Sequence, residues 1–425
     1  IEDGVTEIGK DVFQGCVGLT KVAIPDSVKK IGTWSFYMCK GLKNVDIPAN
    51  MEIGDSSFRQ SGLEQVTVSG GSVGNYAFHR NESLETINID CETIGDEAFS
   101  GCDSLTNITL GSSVKTLGRA VFYTCDALER VEIPSTVTDI GEKTFYSCPA
   151  LKEAIIRAGT VKAGTFYNCR ALTTLIISDN ATLDASFTVG NTHAKETLET
   201  VKIERGEIGN SAFSNCTNLT TVELGNDVTS IGKSAFLKCT QLPSITIGNG
   251  VTSIGISAFS GCTALTNANI GSGAIGATAF QDCTRLTDVT LGDGVTSIGT
   301  NAFLRCKALT SMNIGSSVRT IESFAFSGCE ALKEVTISAA QVKSGAFSKA
   351  TALEKVTFGN DVTNIAAGVF NGSGIKTNNG QLYLKAGTWT SNGKSTQVTE
   401  GQYITVGDKV FNQIVAGKAA TWSAT

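Results

Sequence analysis

Thirteen cysteines and two histidines carry the most versatile chemistry in this 425-residue chain. A thiol can cross-link, ligate a metal, or attack as a nucleophile once ionised. Twelve of the thirteen share one register, each three residues after a phenylalanine: Cys16, Cys39, Cys102, Cys125, Cys148, Cys169, Cys216, Cys239, Cys262, Cys283, Cys306 and Cys329. In the same register stand Ser61, Asn81, Ala350 and Ser373. A position that accepts Ala and Ser is a small-residue packing position, and a free thiol packs as a small apolar group. The expectation is therefore a ladder of buried free thiols. Disulfides between neighbouring repeats stay open, because the stacking distance alone does not forbid them. A metal array is disfavoured, because the only histidines are His79 and His193, in different halves of the chain. The thirteenth cysteine, Cys91, falls in a turn and is expected to be exposed. No G-x-S-x-G, H-E-x-x-H, C-x-x-C or P-loop pattern occurs, and the carboxylates are scattered. The chain reads as a non-enzyme with no cofactor and no metal.

Side chains able to bind another protein are a second matter. Tyr123, Tyr146 and Tyr167 each follow a repeat phenylalanine in three consecutive repeats, and Tyr37 holds the same place earlier. Stacked at about 5 Å, such rings form a column along one side. Ile155 and Ile176, in the same repeats, are expected to point outward as an apolar pair on a different face. These five residues, Tyr123, Tyr146, Tyr167, Ile155 and Ile176, are the candidate partner-binding site. The competing reading lays the tyrosine rings flat over the turn as a shield for the core. Along the outward strand columns no residue is aromatic, and their Thr and Asn content suits strand propensity and cross-strand contacts.

The elements that must position these side chains follow from a repeat. Phenylalanine recurs at seventeen positions from Phe13 to Phe370, at spacings of 20 to 26 residues and most often 23. A unit this short cannot bury a core alone and must stack on its neighbours as one coil of a solenoid. The stretches Leu219 to Cys239, LTTVELGNDVTSIGKSAFLKC, and Leu242 to Cys262, LPSITIGNGVTSIGISAFSGC, show the pattern. Its L-x-x-V-x-I portion alternates with period two and is rich in β-branched residues, which marks a strand. A turn of Gly, Asn, Asp or Pro follows, then a second apolar pair such as Val251 and Ile254. The A-F-x-x-C-x-x-L portion suits a single irregular or helical turn. Strands of successive coils should pair in parallel, about 4.8 Å apart. From Phe187 to Phe213 the spacing lengthens to 26, and the polar segment TVGNTHAKET from Thr188 to Thr197 is expected to loop outward, making an irregular coil at about 179–200.

The combination of L-x-x-V-x-I, V-x-x-I-G-x-x-A-F and F-x-x-C, repeated over about residues 1–374, resembles the BspA-like, or Treponema-type, leucine-rich repeat family. The column after the strand is Gly248, Pro48 or Ser338 where the common leucine-rich consensus has asparagine, which supports this subclass. The resemblance implies a β-rich leucine-rich-repeat solenoid, a right-handed superhelix of about 17 coils. It further implies an extracellular or cell-surface protein, bacterial or alternatively protozoan, that adheres to host or neighbouring-cell proteins, with no catalytic residues to carry over. A passive stalk presenting another module, or an accessory domain of a secreted enzyme, are the alternatives. Residues 375–425 lack the repeat, hold Trp389 and Trp422, and are expected to form a β-rich cap or the start of a following module. Short strands are expected at Leu382 to Leu384, Tyr403 to Val406 and Val410 to Phe411, with a hairpin turn at Gly407-Asp408.

A formal net charge of −6 disfavours nucleic acid as a partner. No run of about 18 apolar residues exists, so no membrane insertion is expected. Ile1 falls in mid-repeat, so the chain reads as one from which a signal peptide and at least half a coil have been removed. A monomer with one protein partner is the expected state.

Overall fold

A computed structural model describes residues 1–190, 192–358, 361–366 and 368–374, with the backbone strands Gln381–Leu384, Gly387–Ser391, Lys394–Val398, Gln402–Thr405 and Ala420–Ser423. The expected elements at Val406, Gly407-Asp408 and Val410 to Phe411 lie outside the described residues. The chain is a parallel β-solenoid of about 16 turns. It divides into two compact units, Ile1–Arg205 and Gly206–Thr425.

Most coils contribute a longer strand and a two-residue strand, and most of these pair with their equivalents in the next coil, in ladders broken at a few coils. In the N-terminal unit Arg130–Ile133 pairs in parallel with Glu153–Ile156, and that strand with Thr174–Ile177, with no slip in register. The short strands Glu7–Ile8, Lys30–Ile31, Glu52–Ile53 and their successors form a second parallel ladder. The C-terminal unit repeats this, for example Ser311–Ile314 with Glu334–Ile337 and Lys355–Phe358. There the two strands of a coil merge in places. Asp288–Ile298 runs through the intervening turn and pairs with Asn267–Ile275, whose two-residue-shorter turn is absorbed as register shifts. Gln381–Leu384 adds in parallel to Lys355–Phe358, and Gln402–Thr405 then pairs antiparallel, ending the parallel succession.

The third side of every coil is the turn around the repeat phenylalanine, and it contains no helix. Each turn is closed by i→i−3 bonds, as when Tyr37 N–H donates to the Trp34 carbonyl and Cys39 N–H to that of Phe36. Alternate N–H groups reach the next coil instead: Trp34 to Asp55, Phe36 to Ser57 and Met38 to Arg59, at 3.2, 2.7 and 3.0 Å. This alternation requires left-handed backbone two residues before and two after the phenylalanine. Trp34 and Met38 have φ of 56° and 59° around Phe36, and Ser257 and Gly261 have 56° and 73° around Phe259. Among the described residues, all but Asn50 and Asp179 of the 26 non-glycine residues with positive φ occupy these two places. Such residues are strained, so inter-coil bonding and packing hold them there.

The core is a set of columns. In the N-terminal unit the rings from Phe13 to Phe166 stack on one another with centroids 4.9–5.9 Å apart and planes within 16°. From Phe213 to Phe370 the spacing is 5.1–5.8 Å. Near-parallel rings at this distance are offset-stacked, the favoured geometry for aromatic pairs. The glycine of the Ile-Gly pair is needed for close approach, since a Cβ on Gly255 would lie 2.5 Å from the Gly232 carbonyl carbon. After that glycine an Asx side chain links successive coils. Asp55 accepts from Asn75 N–H, Asn75 from Asp96 N–H and Asp96 from Arg119 N–H, at 2.7–2.8 Å. An Asx ladder thus exists, but not after the strand, where leucine-rich repeats usually carry their asparagine.

The segment expected to loop outward carries a short helix instead, Thr192–Thr197, and the Thr197 hydroxyl donates to the Leu172 carbonyl. Phe187 before it stays fully buried although it lacks the F-x-x-C pattern.

Replacing Phe259 by Ala removes one ring from a continuous stack and should cost about 3–5 kcal/mol. Because each coil touches only its neighbours, amide exchange should accelerate in the coils of Phe236, Phe259 and Phe280 and stay slow near Phe58. A uniform loss of protection along the chain would contradict a nearest-neighbour core.

Candidate functional site

Side chains beside the buried phenylalanine column are forced outward onto the turn face, where the same inter-coil register stacks them. Tyr123 and Tyr146 stack at 5.1 Å with planes 12° apart, and Tyr146 and Tyr167 at 4.8 Å and 19°. The rings therefore do not lie flat over the turn. Each uses a ring face on its neighbour. Tyr167, the last ring of the stack, is 40 % exposed, while Tyr123 and Tyr146 are half-buried. The Lys143 ammonium lies 5.9 Å from the centre of the Tyr146 ring. Burial, then the phenols of Tyr167 and Tyr123, raise the pKa of Tyr146 above the ordinary tyrosine value.

The same face carries residues that the repeat alone did not single out. Trp34, 41 % exposed, stands two residues before Phe36, under the Lys10 ammonium at 5.2 Å. Tyr76 meets His79 edge-on at 5.6 Å and has the Arg59 guanidinium 6.0 Å from its ring centre. Its hydroxyl donates to Glu97 Oε1 at 3.3 Å, and Glu97 also accepts from Arg119 at 2.8 Å. Burial, followed by the charges of Arg59 and Arg80, lowers the His79 pKa to about 4. Every Tyr and Trp among residues 1–374 thus lies on the phenylalanine-turn face of the N-terminal unit. Comparing residues two before and one after each repeat phenylalanine would have found Trp34, Tyr76, Arg59 and His79 in the sequence. Reading only the position after the phenylalanine for tyrosine missed them.

The isoleucine pair behaves differently. Ile155, expected to point outward, is only 9 % exposed, and Ile176 is half-buried. The neighbours of Ile155 in register are Glu132 and Ile176. Glu132 reaches past it to Arg157, at 2.7 Å, and Arg130 joins Glu153 at 2.6 Å. This ion ladder covers the isoleucine, so Ile155 is not an accessible contact residue. The strand face also lies apart from the tyrosine column.

All thirteen cysteines are free thiols. In the repeat column the thiol donates to the carbonyl of the phenylalanine one coil earlier: Cys39 to Phe13 at 3.0 Å, Cys148 to Phe122 at 3.1 Å, Cys262 to Phe236 at 3.2 Å. The column therefore supplies a donor as well as a small volume. Asn81 makes the same bond with its amide, to Phe58 at 2.7 Å. Cys91, expected exposed, is fully buried, because CETIG from Cys91 to Gly95 places it where VTSIG repeats carry their first core valine. Cys16, in a terminal coil, is the exposed one. Burial pushes the thiols of Cys39 and Cys91 up to about 11 and that of Cys102 to about 12. Among the described residues no group of three or more His, Cys, Asp or Glu side chains is placed to hold a metal ion, and no helix is long and apolar enough to cross a membrane.

The family model described as BspA type leucine rich repeat region (6 copies) matches residues 1–85, 71–188, 190–275 and 273–381, and the chain belongs to that family. Proteins of this repeat class are surface protein-interaction scaffolds. Among solved structures the chain is similar to a leucine-rich repeat protein from Bacteroides ovatus ATCC 8483, at 24 % identity over 84 % of this chain and 83 % of that one, with a TM-score of 0.40. It is also similar to a leucine rich cell surface protein from Faecalibacterium prausnitzii A2-165, at 26 % identity over 84 % and 83 %, TM-score 0.32. A third is a leucine-rich repeat protein from Eubacterium ventriosum ATCC 27560, at 21 % identity over 79 % and 87 %, TM-score 0.34. No curated protein matches the chain in sequence.

The thiol column makes stability sensitive to alkali. A folded-state pKa above the ordinary thiol value means that the unfolded chain releases protons the folded one keeps. Stability should be intact below about pH 9 and fall as the pH rises from there toward 11–12. Thermal melts should show a midpoint that drops between pH 8.5 and 10.5. Iodoacetamide at pH 8 should label Cys16 rapidly and the other twelve thiols only after denaturation. A flat midpoint, or rapid labelling of the repeat column, would contradict a column of buried neutral thiols.

Proposed function

We propose that this chain is a non-catalytic, extracellular or cell-surface module that adheres to host or neighbouring-cell proteins through the phenylalanine-turn face of its N-terminal unit. The observation that carries the reading is the gathering of Trp34, Tyr37, Tyr76, Tyr123, Tyr146 and Tyr167 on that one face. Interface hot spots are enriched in Trp, Tyr and Arg. Rigid amphipathic rings also give contact area at low entropic cost, and stacking removes what freedom the tyrosines had. In the C-terminal unit the position after the phenylalanine carries Ser214, Leu237, Ser260, Gln281, Leu304, Ser327, Ser348 and Asn371, with no aromatic ring. Ile176, half-buried on the strand face, is at most peripheral.

Beads coated with the purified chain should adhere to intact target cells. Changing Tyr123, Tyr146 and Tyr167 together to Ser should weaken that binding by about tenfold or more, equal to about 1.4 kcal/mol. The melting midpoint should change little, because the Phe and Cys columns are untouched. Changing Thr246, Thr290 and Thr336 to Ser, on the strand face of the other unit, should leave adhesion as it was. Equal losses from both triple variants, or none from either, would overturn the assignment of the face.

A further inference from the structure

One coil of the N-terminal unit is cut short at the aromatic face. Six residues separate Phe36 from Leu42 and Phe78 from Leu84, but only five separate Phe58 from Leu63. The missing residue opens a cleft of about 260 Å³ between the flanking coils, lined by Lys40, Gln60, Ser61, Arg80 and Glu82 among others. Its floor is built and rigid. The Ser61 hydroxyl donates to Asn81 Oδ1 at 2.6 Å, and the Asn81 amide donates to the Phe58 and Phe78 carbonyls at 2.7 and 2.8 Å.

Two cations line this cleft and a third stands beside it. Lys30, Lys43, Arg119, Arg130, Arg157 and Lys162 of the same unit each sit 2.6–3.2 Å from a carboxylate. Among the described residues Lys40, Arg59 and Arg80, on three successive coils, form no such bridge; Lys40 and Arg80 line the cleft with one carboxylate, Glu82, while Asp103 lies close enough to feel the charges of Arg80 and Glu82. The Nε of Arg59, next to Gln60, is buried without a hydrogen-bond partner. The depressed pKa of His79 has Arg59 and Arg80 among its causes, after burial. The surplus is positive in a chain whose net charge is −6. Three cations, of which Arg59 lies against the Tyr76 ring, outnumber the two nearby carboxylates Glu82 and Asp103 and offer charge-assisted bonds to further carboxylates, arginine in a fixed fork.

We infer that this notch docks an acidic segment of a protein partner, its Asp or Glu carboxylates seated between Lys40 and Arg80 and reached by Arg59. The inference rests on the reading of this face as the binding face and adds the chemistry of what it binds. The test uses the full chain and fluorescence anisotropy at low salt, with three labelled probes: a decapeptide of alternating Glu and Gly, its Lys counterpart, and a heparin oligosaccharide. The Glu peptide should bind, the Lys peptide should not, and affinity should fall as salt rises. The double variant K40E/R80E should lose about tenfold or more of this binding. K238E/K349E, two charges of the other unit that each stand two residues after a repeat phenylalanine as Arg80 does, should lose less than about twofold. Melting midpoints confirm that both variants fold. No binding of the Glu peptide, equal losses from the two double variants, or tighter binding of heparin that K40E/R80E also abolishes would overturn the proposal. The last result would assign the notch to a polyanionic polysaccharide. Because the peptides replace the native partner, failure here leaves the adhesion result of the tyrosine variant standing, and the two readings fail separately.

Discussion

Everything in this molecule depends on one stacking constraint: each coil must land on the next with equivalent residues in contact. The turn around the repeat phenylalanine shows how tightly that is held. Its backbone adopts left-handed conformations that cost energy at non-glycine residues, and it does so at Trp34, Met38, Ser257 and their equivalents. What offsets the cost is a parallel set of inter-coil N–H to carbonyl bonds, a continuous ring stack, and a thiol that donates to the carbonyl of the preceding phenylalanine. A shift of one residue would break all three at once. The Cys column is therefore tied to the Phe column chemically as well as sterically, and Asn81 can replace a cysteine because its amide reaches the same acceptor.

The surface inherits that order. A side chain beside the phenylalanine has no choice but to meet its counterpart one coil away, so a run of identical residues becomes a ladder. Three tyrosines become a stack of rings with a row of hydroxyls. In the C-terminal unit the same position holds mainly Ser, Leu, Gln and Asn, and the same backbone displays no stack of rings there, only the lone exposed Phe324 two residues before Phe326. The solenoid is thus a display device whose chemistry is written in one or two columns. A one-residue change of coil length, as between Phe58 and Leu63, gives that display a notch.

How much of this was legible in the sequence depends on distance along the chain. The columns themselves were, because period and residue type recur: the Phe stack, the buried thiols and the tyrosine ladder all follow from spacing. Cys91 was misplaced because its repeat was read by its turn residues rather than aligned on Ile94, which puts the thiol in a core column. Ile155 was misplaced because alternation gives the direction of a side chain but not what its neighbours do; Glu132 and Arg157 close over it. The left-handed residues flanking each phenylalanine left little trace, since Trp, Met, Ser, Lys and Arg all occupy them. The helix Thr192–Thr197 was hidden by polar composition and an interrupted period. The aromatic face was half seen. Its second contributing column holds unrelated residues in other coils, so only the fold shows that Trp34 and Tyr76 share a surface with Tyr146.

The register at the tyrosine column is the claim on which core and surface both rest, and cysteine cross-linking reads it directly. In a Cys16→Ser background, Tyr123→Cys with Tyr146→Cys places two thiols on adjacent coils, where a backbone separation of about 4.8 Å lies within disulfide range. Tyr123→Cys with Tyr167→Cys places them two coils apart, near 10 Å and beyond that range. Under mild oxidation, peptide mapping should find an intramolecular disulfide in the first pair and none in the second. Bridging in both pairs alike, or in the second alone, would contradict an in-register stack.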